Sequence, residues 1–165
     1  MTAFAETIDI ALTVNGEPVR ARVDARRHLI DFLRLDLGLT GAHAGCEQGV
    51  CGACTIRVNG HAVRGCLTLA AQADGAEVWT VEGVSDTGEL SDLQDAFLAR
   101  NALQCGFCTP GMLFSAAELL AQGGAPDRAA IREHLSGNYC RCTGYEAIVD
   151  AVEATAKARA QEAAE

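Results

Sequence analysis

The sequence predicts an α+β protein with a strand-rich N-terminal half and a helical C-terminal half. Three observations support this: apolar residues alternate near the N-terminus, helical spacing takes over after about residue 90, and eight cysteines form two sets of four. The first set comprises Cys46, Cys51, Cys54 and Cys66. The second set comprises Cys105, Cys108, Cys140 and Cys142.

The N-terminal half begins with a predicted β-hairpin. The alternating apolar residues of its first strand are Ile8, Ile10, Leu12 and Val14. Asn15-Gly16 is a strong turn signal, and Val19, Ala21 and Val23 alternate in the return strand. Because proline lacks the N–H that a sheet interior needs, Pro18 predicts that this return strand lies at a sheet edge.

The rest of this half predicts a helix over residues 28–37, a glycine-rich loop over 41–54, and three short strands. The strands are predicted at 55–58, 61–64 and 77–81, and Asn59-Gly60 joins the first two as a second hairpin turn. The prediction is therefore a small sheet with one helix packed on it.

The C-terminal half predicts four short helices, over residues 91–104, 110–122, 127–136 and 144–158. Ser91 with Gln94, and Thr143 with Glu146, have the spacing of capping boxes, and Thr109 precedes a proline at the first helical position. Four such helices predict a bundle. The predicted division is a domain over 1–81, a linker over 82–90, a helical domain over 91–158 and a frayed tail over 159–165.

Composition limits the possible functions. Acidic residues outnumber basic ones by 22 to 13, for a net charge of −9, which argues against a nucleic-acid partner and is otherwise typical of a soluble protein. No signal peptide or membrane span is visible, so a cytoplasmic location is expected, where eight cysteines would not pair as disulfides. Neither a dinucleotide-binding G-x-G-x-x-G after a strand nor a hydrolytic triad is apparent.

The first cysteine set has the spacing C-x4-C-x2-C, and Cys66 follows after eleven more residues. Its first three positions match the loop that binds a 2Fe–2S cluster in plant-type ferredoxins. Gly45, Gly49 and Gly52 are expected to supply positive φ angles, so that the loop bends around the cluster and its N–H groups point at the sulfurs. Zinc, disulfides and buried thiols are the alternatives.

The second cysteine set has the pattern C-x2-C followed by C-x-C, and both pairs lie at predicted helix junctions. Helix N-termini would favour an anionic cluster there, and Arg141 would either offset its charge or face solvent. The spacing alone also allows zinc or a redox dithiol, although the dithiol interpretation requires a βαβ context that this half lacks.

Three stretches, GCEQGVCGACTIRVNG, QCGFCTPGM and LSGNYCRCTGY, resemble the small iron–sulfur subunits of the molybdenum hydroxylases, the xanthine oxidase family. The resemblance extends from about Ile8 to Val152. It implies a β-grasp, plant-type ferredoxin-like domain followed by a four-helix bundle, each with one 2Fe–2S cluster. Residues 43–44, Gln48 and Tyr139 lie where the family varies, and none of them is a cluster ligand.

By this resemblance, the cluster of the second set lies toward the molybdenum cofactor and the cluster of the first set toward FAD. Gln104 corresponds to a glutamine that hydrogen-bonds the pterin, and Cys142 to a ligand that meets the pterin amino group; otherwise Gln104 is a polar residue at a helix end. The implied function is electron transfer from the molybdopterin site to FAD during oxidative hydroxylation of an N-heterocycle, an aldehyde or CO.

The implied partners are a large molybdopterin-binding subunit and a medium FAD-binding subunit, in a heterotrimer or a dimer of heterotrimers. Three alternatives stay open at this point. The chain could be a free-standing 2Fe–2S carrier, a structural zinc protein, or the equivalent subunit of an enzyme that reduces an acyl-CoA.

Overall fold

The computed structural model describes residues 6–164. In this part of the chain, five strands form one mixed sheet in the order β2-β1-β5-β3-β4. The strands are β1 (Thr7–Val14), β2 (Glu17–Asp24), β3 (Thr55–Val58), β4 (His61–Arg64) and β5 (Glu77–Trp79). The α+β class and all five predicted strands are confirmed, with β5 two residues shorter than expected.

The first hairpin forms as predicted. β1 and β2 pair antiparallel along their whole length, and Asn15 and Gly16 both have positive φ, as a tight two-residue hairpin turn requires. β2 lies at the sheet edge, which confirms the position inferred from Pro18. β1 then pairs in parallel with β5, so the N-terminal strand lies inside the sheet and β5 is its central strand.

The predicted helix over 28–37 is α1, which consists of a helical turn at Leu29–Asp31 and a π-helical segment at Phe32–Asp36. Leu29, Phe32 and Leu33 are fully buried against the sheet. The π-helical widening shows in the Leu37 N–H, which donates to Phe32 O five residues back.

The segment 82–90, which the sequence predicts as a linker, contains most of helix α2 (Val81–Asp86). Val84 and Leu90 are buried in the core of the helical half, and this apolar burial makes the segment part of that core. The remaining helices are α3 (Ser91–Ala99), α4 (Thr109–Leu120), α5 (Arg128–His134) and α6 (Glu146–Glu162).

Two helix ends differ from the sequence prediction by four or five residues. α3 ends at Ala99 instead of residue 104, because Asn101 takes a left-handed conformation and the N–H of Ala102 donates to Phe97 O, the pattern of a Schellman motif. α6 continues to Glu162, so the predicted frayed tail is helical through that residue; residue 165 lies outside the described residues. Arg159 holds this end through a bidentate contact with Asp92.

The predicted helix caps are also corrected. Ser91 lies inside α3, after an N-terminal cap at Leu90, and Gln94 instead donates to Ser85. Thr109 begins α4 itself, after Cys108. At α6, Thr143 accepts from the N–H of Tyr145. Glu146 pairs with Arg128 and Arg132 of α5 rather than capping the helix.

No helix among residues 6–164 combines the length and the apolar character that crossing a membrane would require.

Candidate iron–sulfur centres

The cysteines of the first set come together as two pairs. Cys46 lies beside Cys51, on the loop before β3. Cys54 lies beside Cys66, and both of these side chains are buried beneath the loop. Cys54 directly precedes β3 and Cys66 follows β4, so the second hairpin carries the fourth cysteine back to the loop, as the sequence predicts.

Backbone N–H groups donate to the sulfur of Cys46 in the Cys46–Cys51 pair. The amides of Gln48 and Cys51 donate to Cys46 Sγ, each at 3.4 Å. These donors, the Cys51 amide first, lower the pKa of Cys46 to about 6. A loop that stabilises negative charge on sulfur would stabilise the ligands of a bound iron cluster in the same way.

The glycines of this loop have different roles, which corrects the sequence expectation in part. Gly49 and Gly52 have positive φ as predicted, but Gly45 does not, and Glu47 provides a further positive-φ position. Gly45 instead leaves space, because a Cβ there would lie 3.1 Å from Cys51 Sγ. The loop is therefore shaped partly by φ and partly by the room its sulfurs need.

The second set also forms two pairs. Cys105 and Cys142 are exposed, and their Sγ atoms lie 3.5 Å apart. Cys108 lies beside Cys140 further inside the protein, at the start of α4. Burial raises the pKa of Cys108 to about 12, so a thiolate at this position needs a cation for compensation.

Two hydroxyl groups lie near the inner pair, Cys108 and Cys140. Burial raises the pKa of Cys140, but hydrogen bonds led by the Thr143 hydroxyl, 3.1 Å from Cys140 Sγ, outweigh it and leave the pKa below its usual value. Thr109, next to Cys108, has a buried hydroxyl that finds no partner within residues 6–164. An orphaned hydroxyl beside a cysteine pair is what a sulfur-rich ligand bound there would satisfy.

The pairwise geometry fits 2Fe–2S clusters, in which each of two irons takes two cysteines. A tetrahedral zinc site would instead gather four ligands around one ion. The residues present therefore fit one 2Fe–2S cluster per set.

Gln104 and Cys142 are brought together at the surface. Gln104 follows the end of α3 and donates through Nε2 to Cys142 O at 3.1 Å, so its side chain is held on the loop that carries the cysteine. Arg141 beside them is exposed. This outward-facing end of the second set is available to another molecule.

The two sets meet at a buried polar contact that the sequence did not reveal. Tyr139 donates its backbone N–H to Cys51 O at 2.8 Å. Asn138 is only 2% exposed and donates through Nδ2 to Gly52 O at 3.2 Å. A second contact stacks Phe107 on His43, with ring centroids 4.6 Å apart. These residues are distant in sequence, so only their contact in the fold identifies them.

Comparisons with known proteins agree with this geometry. A 2Fe-2S iron-sulfur cluster binding domain matches residues 12–80, and a [2Fe-2S] binding domain matches residues 80–153. The nicotine 6-hydroxylase small subunit of Paenarthrobacter nicotinovorans is 56% identical over 148 residues, 90% of this chain and 89% of that protein. Caffeine dehydrogenase subunit gamma of Pseudomonas sp. strain CBB1 is 51% identical over 146 residues, 87% of each chain.

A solved structure gives the same result. A chain of quinoline 2-oxidoreductase from Pseudomonas putida 86 superposes with a TM-score of 0.88 at 52% identity, covering 94% of this chain and 97% of that chain. The fold and the two cysteine sites thus define a protein with two 2Fe–2S domains, the first of them ferredoxin-like. The chain belongs to the small iron–sulfur subunits of the molybdenum hydroxylase family, and it is a non-catalytic electron-transfer subunit of an oxidoreductase complex.

Proposed function

We propose that each cysteine set binds one 2Fe–2S cluster and that the two clusters act in series. The first would be held by Cys46, Cys51, Cys54 and Cys66. The second would be held by Cys105, Cys108, Cys140 and Cys142. The observation that carries this proposal is the arrangement of both sets as two pairs of cysteines. Each cluster, when bound, accepts one electron and returns it.

The direction of transfer proposed here is the one that the family resemblance implies, and the exposure of one cysteine pair supports it. Cys105 and Cys142 are exposed beside Gln104, whose amide is fixed on the same loop. This end would meet the pterin of the molybdenum cofactor, with Gln104 and Cys142 in contact with it. The first set would pass electrons on to FAD.

The molybdopterin and FAD sites would then lie on a large and a medium subunit, in a heterotrimer or a dimer of such trimers. The relatives named as a small subunit and as subunit gamma support an assembly of several chains. A free-standing carrier has no need of the Gln104–Cys142 arrangement. Eight cysteines assigned to clusters fit a reducing location such as the cytoplasm, where thiols stay reduced.

An N-heterocycle is the substrate class that the relatives favour. Nicotine, caffeine and quinoline, named for three proteins at least 51% identical to this chain, are all nitrogen heterocycles. The same relatives support oxidative hydroxylation over acyl-CoA reduction. The substrate pocket itself would belong to the large subunit.

The domain organisation proposed from the sequence fits this function. A ferredoxin-like domain over 1–81 and a four-helix bundle over 91–158, joined by 82–90, would each hold one cluster. The two buried apolar clusters, one in each half, and the family matches that meet at residue 80 support this division.

The experiment is metal analysis and EPR of the assembled complex, isolated anaerobically. Two irons and two acid-labile sulfides per cysteine set, with two distinct EPR signals after reduction, are expected. Reduction of both centres by an N-heterocyclic substrate would place them on the electron path. Zinc in place of iron, or no labile sulfide, would refute the proposal.

A further inference from the structure

The loops that carry the two cysteine sets cross at a buried polar seam. The seam consists of Gly52, Thr55, Arg64, Ser115 and Asn138. At this crossing the carbonyls of residues 51 and 52 accept from the backbone of Tyr139 and the side chain of Asn138. At this crossing, a pair of adjacent hydrogen bonds thus joins one cysteine loop to the other.

The shortest link through this crossing starts and ends at proposed ligands. Cys51 belongs to the first set, and its carbonyl oxygen accepts from Tyr139 N–H at 2.8 Å. Tyr139 is covalently joined to Cys140 of the second set. One hydrogen bond therefore completes a connection between the two ligand sets that otherwise follows covalent bonds.

Both polar atoms of the Asn138 side chain make hydrogen bonds. Its Oδ1 accepts from Ser115 Oγ at 2.9 Å and from Arg64 Nη2 at 3.2 Å, while its Nδ2 donates to Gly52 O. Arg64 also donates to Gly137 O at 2.8 Å and to the hydroxyl of Thr55. A buried network in which every group is satisfied has a single low-energy arrangement, so it fixes the spacing of the loops it joins.

The backbones approach so closely at the seam that only glycine fits. A Cβ on Gly52 would lie 2.6 Å from Gly137 O and 2.7 Å from the Asn138 amide. The other crossing joins His43 to Phe107 by ring stacking and by a 2.8 Å hydrogen bond between His43 Nδ1 and Phe107 O, but its Phe107 ring is 45% exposed and therefore open to water. The seam around Asn138, which is 2% exposed, is therefore the better shielded of the two crossings.

We propose that Asn138 is a positioning residue for electron transfer between the two centres. Its side chain, supported by Ser115 and Arg64, keeps the Cys51 carbonyl on the Tyr139 amide, and electronic coupling falls steeply once such a bond opens. With both clusters bound, one electron would leave one centre as it enters the other, so one centre would be oxidised as the other is reduced. This inference rests on the proposed ligand assignment.

The test uses Asn138→Ala in the assembled complex, with Thr155→Ala as the control. Thr155 is also a buried polar residue with one internal hydrogen bond, to Ala151 O at 3.0 Å, but it lies in α6 outside the seam. The readouts are the magnetic interaction between the two reduced centres in EPR, the rate of electron redistribution between them after flash reduction, and hydrogen exchange of the Tyr139 amide.

Asn138→Ala should retain both EPR signals but weaken their interaction, and it should slow redistribution several-fold. Protection of the Tyr139 amide should fall about fivefold, the factor that one ordinary hydrogen bond contributes. Ser115→Ala, which removes one of the supports of Asn138, should produce a smaller change in the same direction. Thr155→Ala should alter none of the three.

Unchanged coupling and redistribution in Asn138→Ala, with both centres present, would overturn the positioning role and leave the electron-transfer function intact. If Asn138→Ala loses one of the two EPR signals, Ser115→Ala takes its place in the test. Unchanged coupling and redistribution in Ser115→Ala would then overturn the positioning role. A wild-type complex without two iron–sulfur signals would instead overturn the proposed function, and the positioning role with it.

Discussion

Replacing Gly52 by alanine tests whether the close approach of the two halves is needed. Gly52 has φ +74°, and an added Cβ would lie 2.6 Å from Gly137 O, where ordinary contacts begin at 3.4 Å. Gly88 provides a matched control, because its φ is +72° and nothing lies within 4 Å of the position a Cβ would take. Both substitutions share the strain of a left-handed residue, and only Gly52→Ala adds the clash.

The strain alone should cost about 1 kcal/mol in each variant. At Gly52 the clash should add about 1–3 kcal/mol, and displacement of the Asn138 amide about 1 kcal/mol more. For a chain of this size we expect Tm to fall by roughly 10 °C for Gly52→Ala and by only a few degrees for Gly88→Ala. The assay is thermal unfolding of the assembled complex, with iron content measured in parallel. Equal shifts in the two variants would show that the approach of the two halves is not constrained at Gly52.

Three further predictions concern single side chains. Cys142→Ser should remove or alter the EPR signal of the second centre and slow reduction of the flavin, while the first signal stays; survival of both signals and of turnover would contradict the ligand assignment. Thr109→Val should lower the reduction potential of the second centre by about 40 mV, because a hydrogen bond to sulfur worth about 1 kcal/mol favours the reduced form. An EPR redox titration measures this potential. An unchanged value would show that the hydroxyl does not face the cluster. Asp92→Asn should destabilise the chain at pH 7 by about 0.5–1 kcal/mol, a value kept small because both partners of the Asp92–Arg159 pair are partly exposed. The hydrogen bond from Arg159 lowers the pKa of Asp92, so the pair stabilises the fold above the ordinary value of 3.8, and this contribution disappears as the pH falls through the lowered pKa. Urea unfolding of wild type and variant should therefore converge at low pH, and a difference that persists there would have another cause.

Local signals in the sequence were sufficient for most of the fold. Asn15-Gly16 determines a hairpin because its two residues tolerate positive φ, and the alternation on either side decides which face is buried. The sequence predictions of helix ends and caps were wrong where a local capping signal competes with burial in the core. Ser91 and Gln94 have the spacing of a capping box, but Leu90 occupies the cap position and is buried in the helical core. The tail is helical to Glu162, where Arg159 forms an ion pair with Asp92, a residue 67 positions earlier in the chain.

The sequence by itself determined the class of the protein and both candidate ligand sets, because a cysteine loop around a cluster needs a fixed local spacing and glycine in particular positions. Only the tertiary structure decided how the sets divide into pairs and how they face each other. The Asn138–Gly52 and Tyr139–Cys51 contacts join residues more than 80 positions apart, and no periodicity or motif records such a contact. Such contacts form when the sheet and the helices bury their apolar faces against each other. The polar groups trapped between them must then hydrogen-bond to one another.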